Sequence, residues 1–387
     1  MKILQLVTRR QHRGAEVFAT QLSDALVSRG HEVVVVGLYP PPAHPLEPGE
    51  ASTHDVQGGS AGRWPSPSRI ADLTRYIRAA APDIVQANGS DTLKYSSLVK
   101  RLSPRRWPLV YRNISLASYW LRYPGQRSWV RWLVQPVDHV VSVSEESRAD
   151  FRRTYGVPAE RISTIPIGVP IPRANGTEPR ERLQSLANLP QDARIVAHIG
   201  SFSPEKNHLW LIEAFAGILR ESHGTHLLLF GEGSLRPAVE AAIAEKNLGA
   251  HVHLLGKRPD VAELVGGADL FVLPSKIEGI PGVILEAAAQ GVPAVATAVG
   301  GISEAVRDGT TGVLTPPEDR EAFVSAVVEL LGDPQRRGRM GTAAREFMLE
   351  RYDLDQIVTA FERLYQTLTG ASLPSAERVR SVQDVDV

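Results

Sequence analysis

Cysteine is absent from the 387 residues, which excludes a disulfide scaffold and any thiolate metal site and is compatible with a reducing cytosol. Charge imbalance is absent too. Lys and Arg number 43 and Asp and Glu number 43, so net charge gives no argument for a nucleic-acid partner. No apolar run approaches the length of a membrane span. The amino-terminal run Ile3 to Val7 is too short for the core of a signal peptide and is followed almost at once by Arg9 and Arg10, so a cytoplasmic protein is expected. No G-x-G-x-x-G follows an apolar run, which argues against a dinucleotide-dependent dehydrogenase. His44, His54, His198, His208, His223, His226, His251 and His253 show no metal-ligand spacing on an apolar helix face.

What is present is a chain of ordinary globular composition, long enough for two or three domains. Short apolar runs alternate with amphipathic stretches, the pattern of an α/β protein with doubly wound parallel sheets. Lys2 to Val7 and Glu32 to Leu38 read as strands, joined by a helix whose apolar stripe is Phe18, Leu22, Ala25 and Leu26 and which ends at Gly30. Tyr39 to Pro67 reads as a long mobile loop. Asp83 to Ala87, Leu109 to Tyr111 and His139 to Ser144 read as further strands, and residues 172–190, polar with Pro and Gly, read as a linker. The second domain opens with the strand Arg194 to Ile199. A helix follows, with apolar face Leu209, Ile212 and Phe215 and with Lys206 in its first turn. Residues 371–387 read as a frayed tail.

The stretch from Leu270 to Gly301, LFVLPSKIEGIPGVILEAAAQGVPAVATAVGG, organises the rest. An apolar strand leads through a Gly- and Pro-containing turn into a short helix and a second apolar strand. Ligands of open parallel sheets sit at the carboxyl ends of the strands, where amides at the next helix N-terminus favour negative charge. Ile280, Gly282 and Val283 supply those amides, since Pro281 has none. Glu278 and Glu286 bracket them, and carboxylates there suit hydroxyl groups on either side of an anion. The ligand implied is a diphosphate with a sugar at each end.

Two Glu separated by seven residues, followed by LEAAAQGVPAVATAVGGISEAV and DGTTGVL, resemble the donor-site signature of the retaining glycosyltransferases of family 4. The resemblance extends from Met1 to about Tyr365. It implies the GT-B fold: two Rossmann-like domains, residues 1–171 for the acceptor and 191–352 for the donor, facing across a cleft, with a helix at 353–370 crossing back to the first. In GSFSPEKN, Lys206 matches the family's diphosphate-gripping Lys, whereas Ser201 stands where the family has Arg. In TRRQHRGAE, Gly14 matches one glycine of the family's turn and Arg13 replaces the other. Gln86 and Asn88 occupy a place where the family often has His-x-His, and Asn113 stands where a His usually faces the donor sugar. Asn cannot take up a proton at neutral pH, so a titrating base there is disfavoured. Backbone groups near Lys257 and Arg258 would meet the nucleobase.

The activity so implied is transfer of a sugar, with retention, from a UDP- or GDP-sugar to a hydroxyl acceptor, with no metal and no cofactor. The D-x-D pairs Asp353/Asp355 and Asp384/Asp386 read as accidental, being far from the strand-end loops. Lys206, Glu278 and Asn113 would flank the reacting centre. Two other readings stay open: an epimerase or hydrolase of the sugar nucleotide, and a nucleotide-sugar-binding pseudo-enzyme, the latter motivated by Arg13, Asn113 and Ser201. The segment Tyr119 to Trp132 mixes Trp and Tyr with Arg122, Arg127 and Arg131. It is expected to bury its aromatics against the sheet, the other reading being weak contact with a membrane surface.

Overall fold

A computed structural model describes residues 1–58, 65–104, 106–171 and 179–371. The chain forms two compact units, one of Met1–Gly168 with the chain from Leu354 on, the other Val169–Asp353.

The first unit holds seven parallel strands: β1 (Lys2–Val7), β2 (Glu32–Gly37), β3 (Ser52–Asp55), β4 (Ile84–Asn88), β5 (Leu109–Asn113), β6 (His139–Ser142) and β7 (Ile162–Thr164). Their order is β3-β2-β1-β4-β5-β6-β7. Strands covered on both faces read as unbroken apolar runs, and β1, β2 and β4 are buried almost throughout. Leu4, Leu6, Val34, Val36 and Val85 point into one core. Ile3, Val33, Val35 and Ile84 point into the other, where they meet Phe18, Leu22 and Leu26 of the helix Gly14–Ser28 and Phe361 and Tyr365 of the helix Leu354–Thr369. Gly30 ends the first of these helices at φ 84°, the left-handed conformation that glycine adopts without strain.

The second unit has six parallel strands: β8 (Arg194–Ile199), β9 (Thr225–Phe230), β10 (Val252–Gly256), β11 (Leu270–Leu273), β12 (Ala294–Thr297) and β13 (Gly312–Thr315). Their order is β10-β9-β8-β11-β12-β13. In both sheets chain order reverses once, between β1 and β4 and between β8 and β11, and such a reversal opens a crevice at the strand ends.

Several expectations are corrected. The long loop after β2 contains β3, which pairs with β2 in register Val34↔Ser52 through Gly37↔Asp55; polar STHD carries no apolar signal because an edge strand needs none. Residues 59–64 of that loop lie outside the described residues. The expected linker holds a helix, Pro179–Ala187, anchored to the second unit by Arg180, which donates to the Ala193 carbonyl at 2.7 Å; 172–178 lie outside the described residues, as do Asp384, Asp386 and the tail beyond Ala371. Lys206 belongs to a separate 3-10 turn, Pro204–Lys206, because Asn207 is left-handed at φ 58° and the helix proper is His208–Glu221. That rotates Leu209 to solvent and turns His208, Leu211, Ile212 and Phe215 inward. Finally, the aromatics of Tyr119 to Trp132 are not buried against the sheet. Tyr119, Trp120, Tyr123 and Trp132 are exposed and only Trp129 packs on the core, since Pro124 and Gly125 delay the helix to Gln126–Val134.

Candidate functional site

In the second unit the loops that leave β8 and β11 adjoin at the point of reversal. The β8 loop runs from Gly200 to Lys206, the β11 loop from Ser275 to Ile280, and the Lys276 amide donates to the Glu205 carbonyl at 2.8 Å, fastening one to the other. Across this seam Lys206 Nζ lies 2.5 Å from Glu278 Oε1. Ser275 Oγ donates to the same oxygen at 2.7 Å, and Thr297 Oγ1 at the end of β12 donates to the Ser275 carbonyl at 2.6 Å. Both charged side chains are mostly buried, at 20% and 12% exposure, so their interaction is shielded from solvent better than a surface pair.

The backbone of Glu278 is held by glycines that leave no room for anything larger. A Cβ on Gly300, whose φ is +53°, would lie 2.0 Å from the Glu278 carbonyl oxygen, and one on Gly301 would lie 2.3 Å from that of Gly279. The Gly-Gly of AVGG is therefore a packing requirement of the Glu278 loop.

Gly282–Ala289 is the helix that follows, with extended Pro281 before it. Ile284 N–H turns back to the Pro281 carbonyl at 3.1 Å. The amides of Ile280, Gly282 and Val283 have no acceptor among the described residues, so the loop and helix start that follow Glu278 offer three unused donors of the kind an anion takes. Glu286 lies one turn on. Its carboxylate has no partner among the described residues, and desolvation pushes its pKa up to about 7. A half-buried carboxyl held near neutrality with unused oxygens is equipped to accept hydrogens from a ligand's vicinal hydroxyls.

Beneath the β8 loop lie two imidazoles. His198 Nδ1 is 2.9 Å from the Val272 carbonyl, to which it donates, while its Nε2 and both nitrogens of His208 have no partner among the described residues. The rings meet edge to face at 4.7 Å. Burial first, then the neighbouring Lys206 ammonium, lowers His208 to about 4, and His198 is depressed for the same leading reason. Two neutral rings thus floor the turn that carries Lys206.

Of the other expected donor contacts, Ser201 is half-buried and carries no cation. Arg258 is tied to Asp260 at 2.9 and 3.0 Å, so its backbone rather than its guanidinium is free to meet a ligand. Lys257 is exposed.

The first unit gathers its own group of residues. Arg13 and Gly14 are exposed at the start of the helix Gly14–Ser28, and a Cβ on Gly14 would touch nothing within 4 Å. Asn88 is buried in a closed ring of bonds: Gln5 Nε2 to Tyr365 Oη (3.2 Å), Tyr365 Oη to Gln86 Oε1 (2.7 Å), Gln86 Nε2 to Asn88 Oδ1 (3.1 Å) and Asn88 Nδ2 to Gln5 Oε1 (3.0 Å). Asn113 is likewise buried, donating from Nδ2 to Ser142 Oγ at 3.2 Å and to the Ser147 carbonyl at 3.3 Å. The Asn88 amide and the Nδ2 of Asn113 are thus engaged inside the unit. Asp355, in one of the D-x-D pairs, forms an ion pair with Arg29.

Sequence reasoning missed Ser275, Thr297 and His208. Ser275 was readable, as a small hydroxyl directly after an apolar strand and three residues before Glu278. His208 carried no signal, because only the left-handed Asn207 turns it inward.

Two doubly wound parallel α/β units, one with unused amides at its switch point, define the class of fold. Residues 12–173 match the family described as Glycosyltransferase Family 4, and residues 193–333 match Glycosyl transferases group 1. The chain belongs to glycosyltransferase family 4. It is similar to the GDP-mannose-dependent alpha-(1-6)-phosphatidylinositol monomannoside mannosyltransferase of Mycolicibacterium smegmatis, at 31% identity over 65% of this chain and 67% of that one. It is also similar to the N-acetyl-alpha-D-glucosaminyl L-malate synthase of Bacillus anthracis, at 33% over 48% of each. The matched region thus spans about half the length of that relative. Among solved structures, Anabaena Alr3699/HepE in complex with UDP-glucose superposes with a TM-score of 0.84 at 22% identity, covering 95% of this chain and all of that one, a likeness of GT-B fold.

Proposed function

We propose that this protein transfers a sugar, with retention and without a metal, from a UDP- or GDP-sugar to a hydroxyl acceptor in the synthesis of a polysaccharide, glycolipid or glycosylated natural product in the cytoplasm. The observation that carries the reading is the Lys206–Glu278 pair set against three unused amides and an unpartnered Glu286. The relatives' activities support it, one acting with GDP-mannose and one named for a glucosaminyl group.

As the bond to the sugar breaks, negative charge gathers on the departing diphosphate. Lys206 and the amides of Ile280, Gly282 and Val283 meet that charge, a contribution worth about 3 kcal/mol for one well-placed donor. Glu278 accepts hydrogens from the donor sugar and Glu286 from the ribose. A departing phosphate oxygen can take the acceptor's proton on the same face, so no protein base is required and the amide of Asn113 is tolerated. The experiment is a transfer assay with a panel of nucleotide sugars and hydroxyl acceptors, the product's anomeric configuration being read by NMR with and without chelator. A retained anomer formed equally with chelator supports the reading. Donor hydrolysis or epimerisation without any acceptor product overturns it.

A further inference from the structure

We propose that the exposed aromatic and basic surface on the first unit, built by the end of the helix Ser90–Leu102, the turn at Tyr119–Tyr123 and the helix Gln126–Val134, docks onto an anionic phospholipid bilayer.

The sequence singles out this region by charge. From Thr92 to Val137 there is no Asp or Glu, against nine Lys and Arg, of which Arg112 is buried, in a chain whose charges balance only as a whole. The structure adds exposed apolar side chains. Leu102 is 63% exposed, Tyr119 44%, Trp120 41%, Tyr123 42% and Trp132 37%, which is five of the eight large apolar side chains exposed among the described residues. A solvent-facing aromatic would ordinarily fold back on the core, as Trp129 does, so this concentration marks a contact surface.

Arginine is interleaved with the rings. The Arg101 guanidinium lies 4.1 Å over the Trp132 ring and donates to the Trp132 carbonyl at 2.7 Å, which fastens the end of the helix Ser90–Leu102 to the helix Gln126–Val134. Arg122 lies 5.4 Å from the Trp120 ring. Arg131 is exposed on the same helix as Trp132. Gln126 ties the turn to the helix, its Oε1 accepting from the Arg122 amide at 2.7 Å and its Nε2 donating to the Trp120 carbonyl at 2.9 Å. The patch is therefore presented on a braced frame.

Charge complementarity decides the occupant. Trp and Tyr rings partition to the headgroup level of a bilayer, and arginines among them meet phosphate. The carboxylates that flank this surface are engaged, Asp138 by Lys100, Glu145 by Arg148 and Asp150 by the Ser118 amide, which limits repulsion from an anionic leaflet. A second copy of the chain would set these arginines against each other. Among the described residues no helix is long and apolar enough to cross a membrane, so the contact is peripheral.

The experiment is co-sedimentation of the full chain with phosphatidylcholine vesicles and with vesicles of phosphatidylcholine and phosphatidylglycerol in equal parts, at low and high salt. The expected result is binding to the anionic vesicles alone, weakened by salt, with the double variants Trp120→Ser/Trp132→Ser and Arg122→Glu/Arg131→Glu each reducing the partition coefficient roughly ten-fold or more. Both variants should keep the parent's nucleotide-sugar binding, since none of these residues lies in the second unit; Arg122→Glu/Arg131→Glu should also keep its melting temperature, whereas Trp132→Ser gives up a ring stacked on Trp129 and should lower it by a few degrees without unfolding the chain. No vesicle binding by the parent, equal binding to neutral vesicles, or variants that bind like the parent would overturn the proposal. So would self-association that the Trp variant abolishes while vesicles go unbound. The lipid readout needs no turnover, so failure of the transferase reading would leave it standing, and the reverse.

Discussion

Lys206 Nζ and Glu278 Oε1 are 2.5 Å apart across the seam between the β8 and β11 loops, with Ser275 Oγ on the same carboxylate oxygen. The ammonium is thus paired with an acid of the same site. On the function proposed above, a diphosphate entering between them would compete with Glu278 for Lys206, and the donor sugar's hydroxyls would replace Lys206 at Glu278. Each partner is exchanged for a ligand group of matching polarity, so neither charge is left bare.

This exchange makes opposite predictions for the free nucleotide and for the donor. Glu278→Gln frees Lys206 and should tighten UDP or GDP binding several-fold, while weakening the corresponding sugar nucleotide. Lys206→Ala should weaken both and lower kcat by roughly a hundred-fold, about 3 kcal/mol. Titration calorimetry and initial rates on the same preparations check both directions; tighter binding of donor and nucleotide alike in Glu278→Gln would contradict the exchange.

Glu286 gives a pH dependence whose sign is fixed. Desolvation raises its carboxyl to about 7, above the ordinary value in the unfolded chain, so its ionisation favours unfolding and stability falls as pH rises from about 4.5 to about 7. Under the role proposed for Glu286, donor binding would run the other way, because only the carboxylate accepts both ribose hydrogens. Donor affinity should increase roughly ten-fold between about pH 6 and about pH 8. Glu286→Gln should flatten both profiles, measured by thermal unfolding and by titration at each pH.

His208 acts in the acid range. Held neutral to about 4 by burial, it protonates more readily in the unfolded chain, so stability is fully present above about 6.5 and is lost as pH falls toward 4. His208→Phe keeps the ring's contact with Phe202 and removes the titration. Its melting temperature should fall less than the parent's between about pH 7 and about pH 5, with the residual slope shared by His198, His139, His226 and His253, which burial also lowers. An unchanged slope would place the acid sensitivity elsewhere.

Gly300 tests how the Glu278 loop is held. Alanine there meets both a left-handed backbone and a Cβ position 2.0 Å from the Glu278 carbonyl oxygen. Gly300→Ala should lose about 1–2 kcal/mol of stability and cost donor affinity besides. Gly309→Ala is the control: also left-handed at φ +70° but in open space, it should lose stability without losing affinity.

Much of the fold was legible because buried parallel strands are continuous apolar runs: β1 and β8 fall at the residues their sequences mark. The edge strand β3 was not, since STHD has no buried face to advertise it. The site was half legible. Glu278 and Lys206 lie on strand-end loops and Glu286 one turn into the helix that follows, as the motif spacing assigned, but nothing in sequence says that Lys206 and Glu278 bond to each other. Asn88 and Asn113 end strands, and what the sequence did not tell is that the Asn88 amide bonds Gln5 and Gln86 and that Asn113 Nδ2 bonds Ser142 and the Ser147 carbonyl within the first unit. A strand end sets where a side chain starts, not which partner takes it.

The account rests on the second unit's strand-end cradle as the donor's seat, and titration of UDP- and GDP-sugars into the parent, Lys206→Ala and Glu286→Ala tests that most directly. It predicts saturable binding of at least one nucleotide sugar to the parent, reduced roughly a hundred-fold in each variant, about 2–3 kcal/mol, with melting temperatures within a few degrees of the parent. Parent-like donor affinity in both variants would contradict it.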